Sequence, residues 1–462
     1  MPRIAVFPIS AIGHVNPLLS VVAALTQRGD SVISSFGPAS LAAAFCRAGA
    51  THVSIDPGAG APPADGPDGP PTDLAWKSFI RPADTMAQHE QLARDFAPDV
   101  VLYDVFALAG YLTAEALGVP AAAFVTTFGY GALGEQFVEQ QGVPHPQLTA
   151  VNEDYRDRFG VDVLGAGLLP VLFPSRWLSI VTGAPSLSSP LNRSETPRLY
   201  DLLSRYLDAC AFVGPCIGGP RVDAEAPPAA RTSADRAAAH DRGAPLPLEV
   251  LDAAKRDRRR MVLFSLGTVL TDFRFATPVG GAPTGRAFLR RTLDHLVEAF
   301  ADDPDWLVVA AVGTRVDPRE ELRWPGNFIV RSFVPQEALL RRHADVFITH
   351  HGMNSTVESL RAGVPMVSLP GVGDQLANAR IMIARGAAIA PCDIADPFGT
   401  CSAARLRAAV ERAAIDPAYR EACAVVAREM AAAGGADRAA RLLLGIAGAI
   451  DERRTRGRQR RG

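Results

Sequence analysis

The amino-acid sequence predicts an α/β protein made of two doubly wound parallel-sheet domains. Three observations carry that prediction. The chain has 462 residues, enough for two domains of ordinary size. Short apolar runs alternate with helical patterns from Arg3 to Thr126, and the same alternation restarts after Arg260. Between the two stretches, residues 215–247 turn to Pro, Ala, Gly and mixed charge with few large apolar side chains, the composition of a linker.

The first domain is read as residues 1–214. Strands are expected at Arg3–Pro8, Ser31–Phe36, His52–Ile55, Val100–Tyr103 and Ala121–Thr126, with helices at Pro17–Arg28, Leu41–Ala48, a long one ending at Asp95, and Leu108–Leu117. A loop rich in Pro, Gly and Asp spans Asp56–Asp73. Asn16 suits the cap of the first helix and Pro17 its first turn. Ala116–Leu133 is uncharged and as long as a membrane span, but Gly118 and Pro120 interrupt it, so it reads as a buried strand followed by a loop. Residues from Gly129 to Leu203 lack a clear period and read as helices lining a cleft.

After the linker, taken as 215–250, the second domain is read as 251–445. Its alternation runs through Met261–Ser265, Ala287–Phe300, Trp306–Ala311, Phe328–Phe333, Val346–Thr349, Thr356–Ala362, Met366–Leu369 and Leu376–Ala384. Residues 446–462 form a basic C-terminal tail, expected to be frayed and solvated.

Composition narrows the function. Lys and Arg total 47 against 49 Asp and Glu, a formal net charge of −2, so no electrostatic pull toward nucleic acid is expected. The six cysteines are scattered, with no CxxC pair and no ligand spacing. Neither a disulfide scaffold nor a zinc site is indicated. The short apolar run at the N-terminus is broken by Pro8 and His14 and no cleavage pattern follows, so a cytoplasmic protein is expected.

Chemistry-bearing residues gather where strands hand over to helices, the ligand-binding edge of an open α/β sheet. Gly13-His14-Val15-Asn16-Pro17 follows the first strand, and an imidazole there can act as a base near neutral pH or merely help to build a turn. Asp104 ends the fourth strand, placed either to orient His14 and stabilise its imidazolium or to cap the helix beginning near Phe106. In the second domain Thr349-His350-His351-Gly352-Met353-Asn354-Ser355-Thr356-Val357-Glu358 follows a strand and opens a helix, a ready anion site. Ser355 and Glu358 also spell a capping box, and spacing alone favours that reading of Glu358. Ser265, Gly267 and Thr268 close a strand with small residues that allow an anion to approach the backbone. Asp374-Gln375 after another strand fits a helix cap or a hydroxyl-binding pair.

The chain carries no GxGxxG after the first strand, no GxxxxGK[ST] and no HExxH. Dehydrogenase, P-loop and zincin readings lose their support. Asp303-Pro304-Asp305 sits in a turn rich in Asp and Pro and is read as turn chemistry.

Phe333-Val334-Pro335-Gln336, then His350-x-Gly352-x-Asn354-Ser355-x-x-Glu358, then Gly363-Val364-Pro365 and Asp374-Gln375 together resemble the nucleotide-sugar signature of family 1 UDP-glycosyltransferases. Gly13–Pro17, Tyr103-Asp104, Phe212–Pro215 and Ser265–Thr268 resemble the bacterial macrolide glycosyltransferase branch. The resemblance implies a GT-B fold, two Rossmann-like domains facing a cleft, with the acceptor on the first and the UDP-sugar on the second. It implies an inverting, metal-independent hexosyltransferase needing no cofactor, with UDP-glucose as the expected donor and a macrolide, flavonoid or other small hydrophobic alcohol as acceptor. His14 would be the general base and Asp104 its partner. Ser265, His350, Asn354 and Ser355 would be diphosphate ligands and Glu358 the ribose ligand, with Thr268 and Gly352 also in the donor site. Phe333, Gln336 and the backbone of Val334 would hold the base, and Asp374 and Gln375 would read sugar hydroxyls. Plant members carry Trp where this chain has Phe333, and the Gly- and Pro-rich loop Asp272–Arg286 reads as an insertion covering the donor. The rival readings are a sugar-nucleotide epimerase of similar fold and a non-catalytic nucleotide-sugar-binding partner protein.

Overall fold

Segments such as Val100–Asp104 and Ala121–Val125 are buried along their whole length, as parallel strands covered by helices on both faces must be. The computed structural model describes residues 1–55, 83–131, 146–163, 173–188, 193, 197–222, 246–318 and 323–459. The chain forms two compact units, Met1–Asp223 with Met430–Gly462, and Ala224–Glu429.

The first unit holds β1 (Arg3–Phe7), β2 (Val32–Gly37), β3 (Thr51–Ser54), β4 (Val100–Asp104), β5 (Ala121–Val125), β6 (Leu178–Val181) and β7 (Cys210–Phe212). They form one parallel sheet in the order β3-β2-β1-β4-β5-β6-β7. The order reverses between β1 and β4, whose carboxyl ends therefore flank the ligand-binding crevice of such sheets. Two apolar clusters sandwich the sheet, one around Phe7, Tyr103 and Tyr155, the other around Leu18, Phe45 and Phe124.

The second unit holds β8 (Arg260–Ser265), β9 (Trp306–Ala311), β10 (Phe328–Arg331), β11 (Val346–Thr349), β12 (Met366–Ser368) and β13 (Ala388–Ile389). Their order, β10-β9-β8-β11-β12-β13, again places the reversal next to the first strand of the unit. All the pairs are parallel.

Several expectations are corrected. The first helix is Ile12–Arg28, so it starts five residues before Pro17 and includes His14. Asn16 does not cap it: its Oδ1 accepts the Val222 N–H, 2.9 Å away, and ties the segment after β7 to this helix. The region from Gly129 to Leu203 contributes β6 and not helices alone, together with the helix Pro146–Phe159. Residues 430–445, assigned above to the second domain, belong to the first unit, because the helix Gly435–Gln459 buries Ala439, Ala440, Leu443 and Ala447 in its core. That helix packs against Ile12–Arg28, and its backbone stays helical through most of the expected basic tail. The segment 272–286, read as an insertion, is anchored in its own unit. Val279 and Ala282 are buried, Gly280 N–H donates to the Gly371 carbonyl, and Phe398 N–H donates to the Gly280 carbonyl. Asp303 behaves as turn chemistry, accepting the Asp305 N–H at 2.9 Å and pairing with Arg407 at 2.8 Å. The Asp56–Asp73 loop and linker residues 223–245 lie outside the described residues. Among the described residues no helix is long and apolar enough to cross a membrane.

Candidate active site

Adjacent strands bring His14 and Asp104 together. β1 pairs with β4 in a register that sets Phe7 against Tyr103, so the turn after β1 and the last residue of β4 meet at one sheet edge. His14 Nδ1 lies 2.8 Å from Asp104 Oδ2, with the imidazole side chain 23% exposed and the carboxylate fully buried. The other carboxylate oxygen, Oδ1, accepts the Phe106 N–H at 3.0 Å. Each oxygen thus has its own contact, a turn-forming one to the backbone two residues on and one to the imidazole, and the helix-cap reading of Asp104 is corrected. The helix it was expected to cap begins at Leu108, after Ala107.

Two further groups hold the imidazole. The edge of the Phe106 ring meets it at a centroid distance of 5.3 Å and an interplanar angle of 71°. Thr126 Oγ1 lies 2.9 Å from Nδ1, a contact that sequence reasoning did not identify because Thr126 was read only as the end of a strand. With Nδ1 committed to Asp104, the Nδ1–H tautomer is favoured and Nε2 keeps its lone pair. That is the protonation state a general base requires.

In the second unit the donor candidates cluster around the carboxyl ends of β8 and β11, which pair Ser265 with Thr349. His350 is 5% exposed and its ring fits between two glycines. A Cβ built on Gly267 would stand 2.3 Å from ring Cε1, and one on Gly352 would stand 2.4 Å from Nε2. Gly267 also has φ +67°, which only glycine adopts at little cost. Gly267 therefore makes room for an imidazole. Ser265 Oγ accepts the Gly267 N–H at 3.3 Å, while Thr268 is exposed. Burial lowers the His350 pKa to about 4 against the opposing pull of the Ser265 backbone, so near neutral pH the ring is an uncharged donor or acceptor.

The helix that follows runs Met353–Ala362 with Gly352 as its N-cap and no side-chain cap. This corrects the capping-box reading. Ser355 lies inside the first turn, so it cannot serve as the N-cap, and its hydroxyl instead accepts from Gln336 Nε2 at 3.0 Å. The same Nε2 donates to Glu358 Oε2 at 2.8 Å, and Glu358 lies beyond the first turn of the helix, outside any capping position. Asn354 stands half-buried in the first turn, where unpaired helix N–H groups collect. Phe333 is 47% exposed beside buried Val334, whose carbonyl already accepts the Gln336 N–H at 2.8 Å.

Residues not singled out from the sequence lock this corner. His351 has φ +62° and is fully buried, with Nε2 2.8 Å from Ser368 Oγ and its carbonyl accepting from Asn378 Nδ2 at 2.9 Å. Burial and the neighbouring His350 lower its pKa to about 3, so it is a neutral structural group. Asn378 also donates to Asp374 Oδ2 at 3.0 Å. Gln375 is 2% exposed, and its Oε1 accepts the N–H groups of Gly371 and Val372 at 3.0 and 3.1 Å. The structure thus gives Asp374 and Gln375 internal partners, with Gln375 holding its own turn. Among the described residues there is no group of three His, Cys, Asp or Glu side chains able to hold a metal ion.

Comparison with known proteins agrees with this geometry. Residues 294–428 match the family model described as UDP-glucoronosyl and UDP-glucosyl transferase. The chain is 28% identical to the NDP-glycosyltransferase YjiC of Bacillus subtilis, over 95% of each chain. It is 29% identical to the oleandomycin glycosyltransferase of Streptomyces antibioticus, over 96% of this chain and 90% of that one. The crystal structure of the glycotransferase of kitacinnamycin superposes with a TM-score of 0.64 at 27% identity, covering 96% of this chain and 100% of that one. Fold and comparisons together define a glycosyltransferase of the GT-B class that draws on a nucleotide-sugar donor. Within that class the chain resembles the UDP-glucoronosyl and UDP-glucosyl transferase family over residues 294–428, and the two bacterial relatives just described over nearly its whole length.

Proposed function

We propose that this enzyme transfers a sugar, glucose in the first instance, from a UDP-sugar to a hydroxyl of a small hydrophobic acceptor such as a macrolide or flavonoid, with inversion and without a metal, in the cytoplasm. The observation that carries the reading is the His14 Nδ1 to Asp104 Oδ2 pairing at 2.8 Å, which leaves Nε2 as a base. Nε2 takes the acceptor hydroxyl proton as the oxygen attacks the anomeric carbon. The bond from that carbon to the phosphate oxygen breaks and UDP departs. One displacement inverts the centre, so an α-linked donor gives a β-linked product.

The first unit supplies acceptor site and base, and the second the donor site. Negative charge grows on the departing diphosphate, and the N–H groups of the helix opening at Met353 and the neutral His350 ring supply fixed donors for it. Ser265, Thr268, Asn354 and Ser355 complete the phosphate set. Glu358 accepts from the ribose hydroxyls, Phe333 stacks on the base, and Asp374 reads sugar hydroxyls with the amide of Gln375. Relatives named for oleandomycin and kitacinnamycin support a natural product as acceptor.

Incubation of the purified chain with UDP- and TDP-sugars against macrolides, polyketides and flavonoids, read by mass spectrometry and anomeric coupling constants, tests the reading. A β-glucoside formed from UDP-glucose is expected. Transfer only from TDP-sugars, or an α-linked product, would overturn the donor or the inverting assignment.

Glu358→Gln tests the ribose contact separately. Gln can still accept from Gln336, and no capping box is at stake, so stability is expected to change by no more than about 0.5 kcal/mol. Hydrogen bonds to a charged acceptor are worth about 1.5 to 3 kcal/mol, so calorimetric UDP affinity is expected to fall roughly tenfold or more. An unchanged isotherm removes Glu358 from the donor site.

A further inference from the structure

His14 Nδ1 faces two oxygens, not one. Asp104 Oδ2 stands 2.8 Å away and Thr126 Oγ1 2.9 Å away. Sheet register explains the convergence, because β5 pairs Phe124 with Asp104, and the chain leaving β5 passes Thr126 alongside that carboxylate. The adjacent Thr127 offers a contrast. Its hydroxyl is spent on its own turn, accepting the Gly129 N–H at 3.3 Å and donating to the Gly129 carbonyl at 3.1 Å. Of two neighbouring buried threonines, one serves the backbone and the other serves the imidazole.

The protonation logic is restrictive. A bare Nδ1 would set its lone pair against the Asp104 carboxylate, so Nδ1 carries the hydrogen. A protonated Nδ1 cannot accept from a hydroxyl, so Thr126 Oγ1 acts as a second acceptor and the N–H is shared between two oxygens. Those two oxygens, with the Phe106 ring edge, fix the plane of the imidazole and hence the direction of Nε2. As His14 gains a proton during transfer, its Nδ1–H becomes a stronger donor and both contacts tighten.

We propose that Thr126 is a positioning residue that acts with Asp104 to hold and orient His14 for proton abstraction. The proposal rests on the reading of His14 as the base. Thr126→Val keeps shape and burial but removes the acceptor. With an aliphatic alcohol acceptor, kcat is expected to fall about 3- to 10-fold, the worth of one ordinary hydrogen bond, while both KM values hold. An acidic phenol, already partly ionised, is expected to lose much less. Thr126→Ser, which keeps the hydroxyl, is expected to restore most of the loss. Thr126→Ala gives the same split between acceptors if valine disturbs folding. A Thr126→Val enzyme with wild-type kcat, in a preparation where His14→Ala is inactive, reduces Thr126 to packing and overturns the proposal. A raised donor KM with kcat unchanged overturns it too, since Thr126 would then be reading the donor. Turnover surviving in His14→Ala is the separate result that removes the base assignment itself.

Discussion

Replacing His14 with Ala is expected to lower turnover of alcohol acceptors by about 10² to 10⁴-fold, the usual contribution of a positioned general base. The loss falls on kcat, because an alcohol hydroxyl attacks poorly unless its proton is taken as the new bond forms. UDP affinity is expected to stay as it was, since every donor candidate lies on residues 265–375 of the second unit and His14 lies on the first. Folding is expected to survive as well. The imidazole is partly exposed and stands near the start of its helix, whose anchoring residues Leu18, Leu19, Val22 and Leu25 are untouched. Acceptors with acidic hydroxyls are expected to lose least. Steady-state kinetics on an aliphatic alcohol and an acidic phenol, beside UDP calorimetry, check all of this. Near-normal turnover of the alcohol would show His14 to be a turn residue.

The sheet strands were legible because parallel strands covered on both faces must be apolar without interruption, as in Val346–Thr349 and Trp306–Ala311. Where the flanking sequence is irregular, that signal fails. Leu178–Val181 and Cys210–Phe212 have four and three residues, and they sit among aromatics and prolines that mimic irregular helix. The return of Gly435–Gln459 to the first unit was equally hidden. Its buried Ala and Leu face declares that it packs on something but does not say on which sheet.

The candidate site was legible to the extent that each candidate side chain is set by its own strand end. His14, Asp104, Ser265 and His350 all follow from that rule. What the sequence could not convey was pairing across strands. Thr126 reaches Nδ1 through the β4–β5 register, and Gln336 reaches Glu358 from a different helix. The capping box spelled by Ser355 and Glu358 misled for a local reason. Gly352 begins the helix through its backbone alone, so the four-residue pattern falls one turn inside it. The signal that could have warned of this was the pair Gly267 and Gly352, which flank an imidazole and leave no room for Cβ atoms.

Asp104→Asn is expected to cost nearly as much as losing His14, about 10² to 10⁴-fold in kcat, although it removes no bulk. The reason lies in which way the new amide turns. The Phe106 N–H needs an acceptor, and Oδ1 supplies it at 3.0 Å, so the amide oxygen of the substituted side chain settles there. Its NH₂ then points at His14 Nδ1, where the carboxylate oxygen had been. An N–H aimed at Nδ1 requires a lone pair on that nitrogen, which moves the ring proton to Nε2 and leaves no base facing the acceptor. The imidazolium formed during transfer also loses its buried counter-charge. Substitution by Asn keeps the turn at Phe106, so thermal melting followed by circular dichroism is expected to change little, and UDP binding should be unaffected. A variant that melts early with its kcat intact would make Asp104 a turn residue only. A variant that folds normally yet turns over slowly, with acidic phenols partly spared, is the outcome that the two-oxygen geometry of this carboxylate requires.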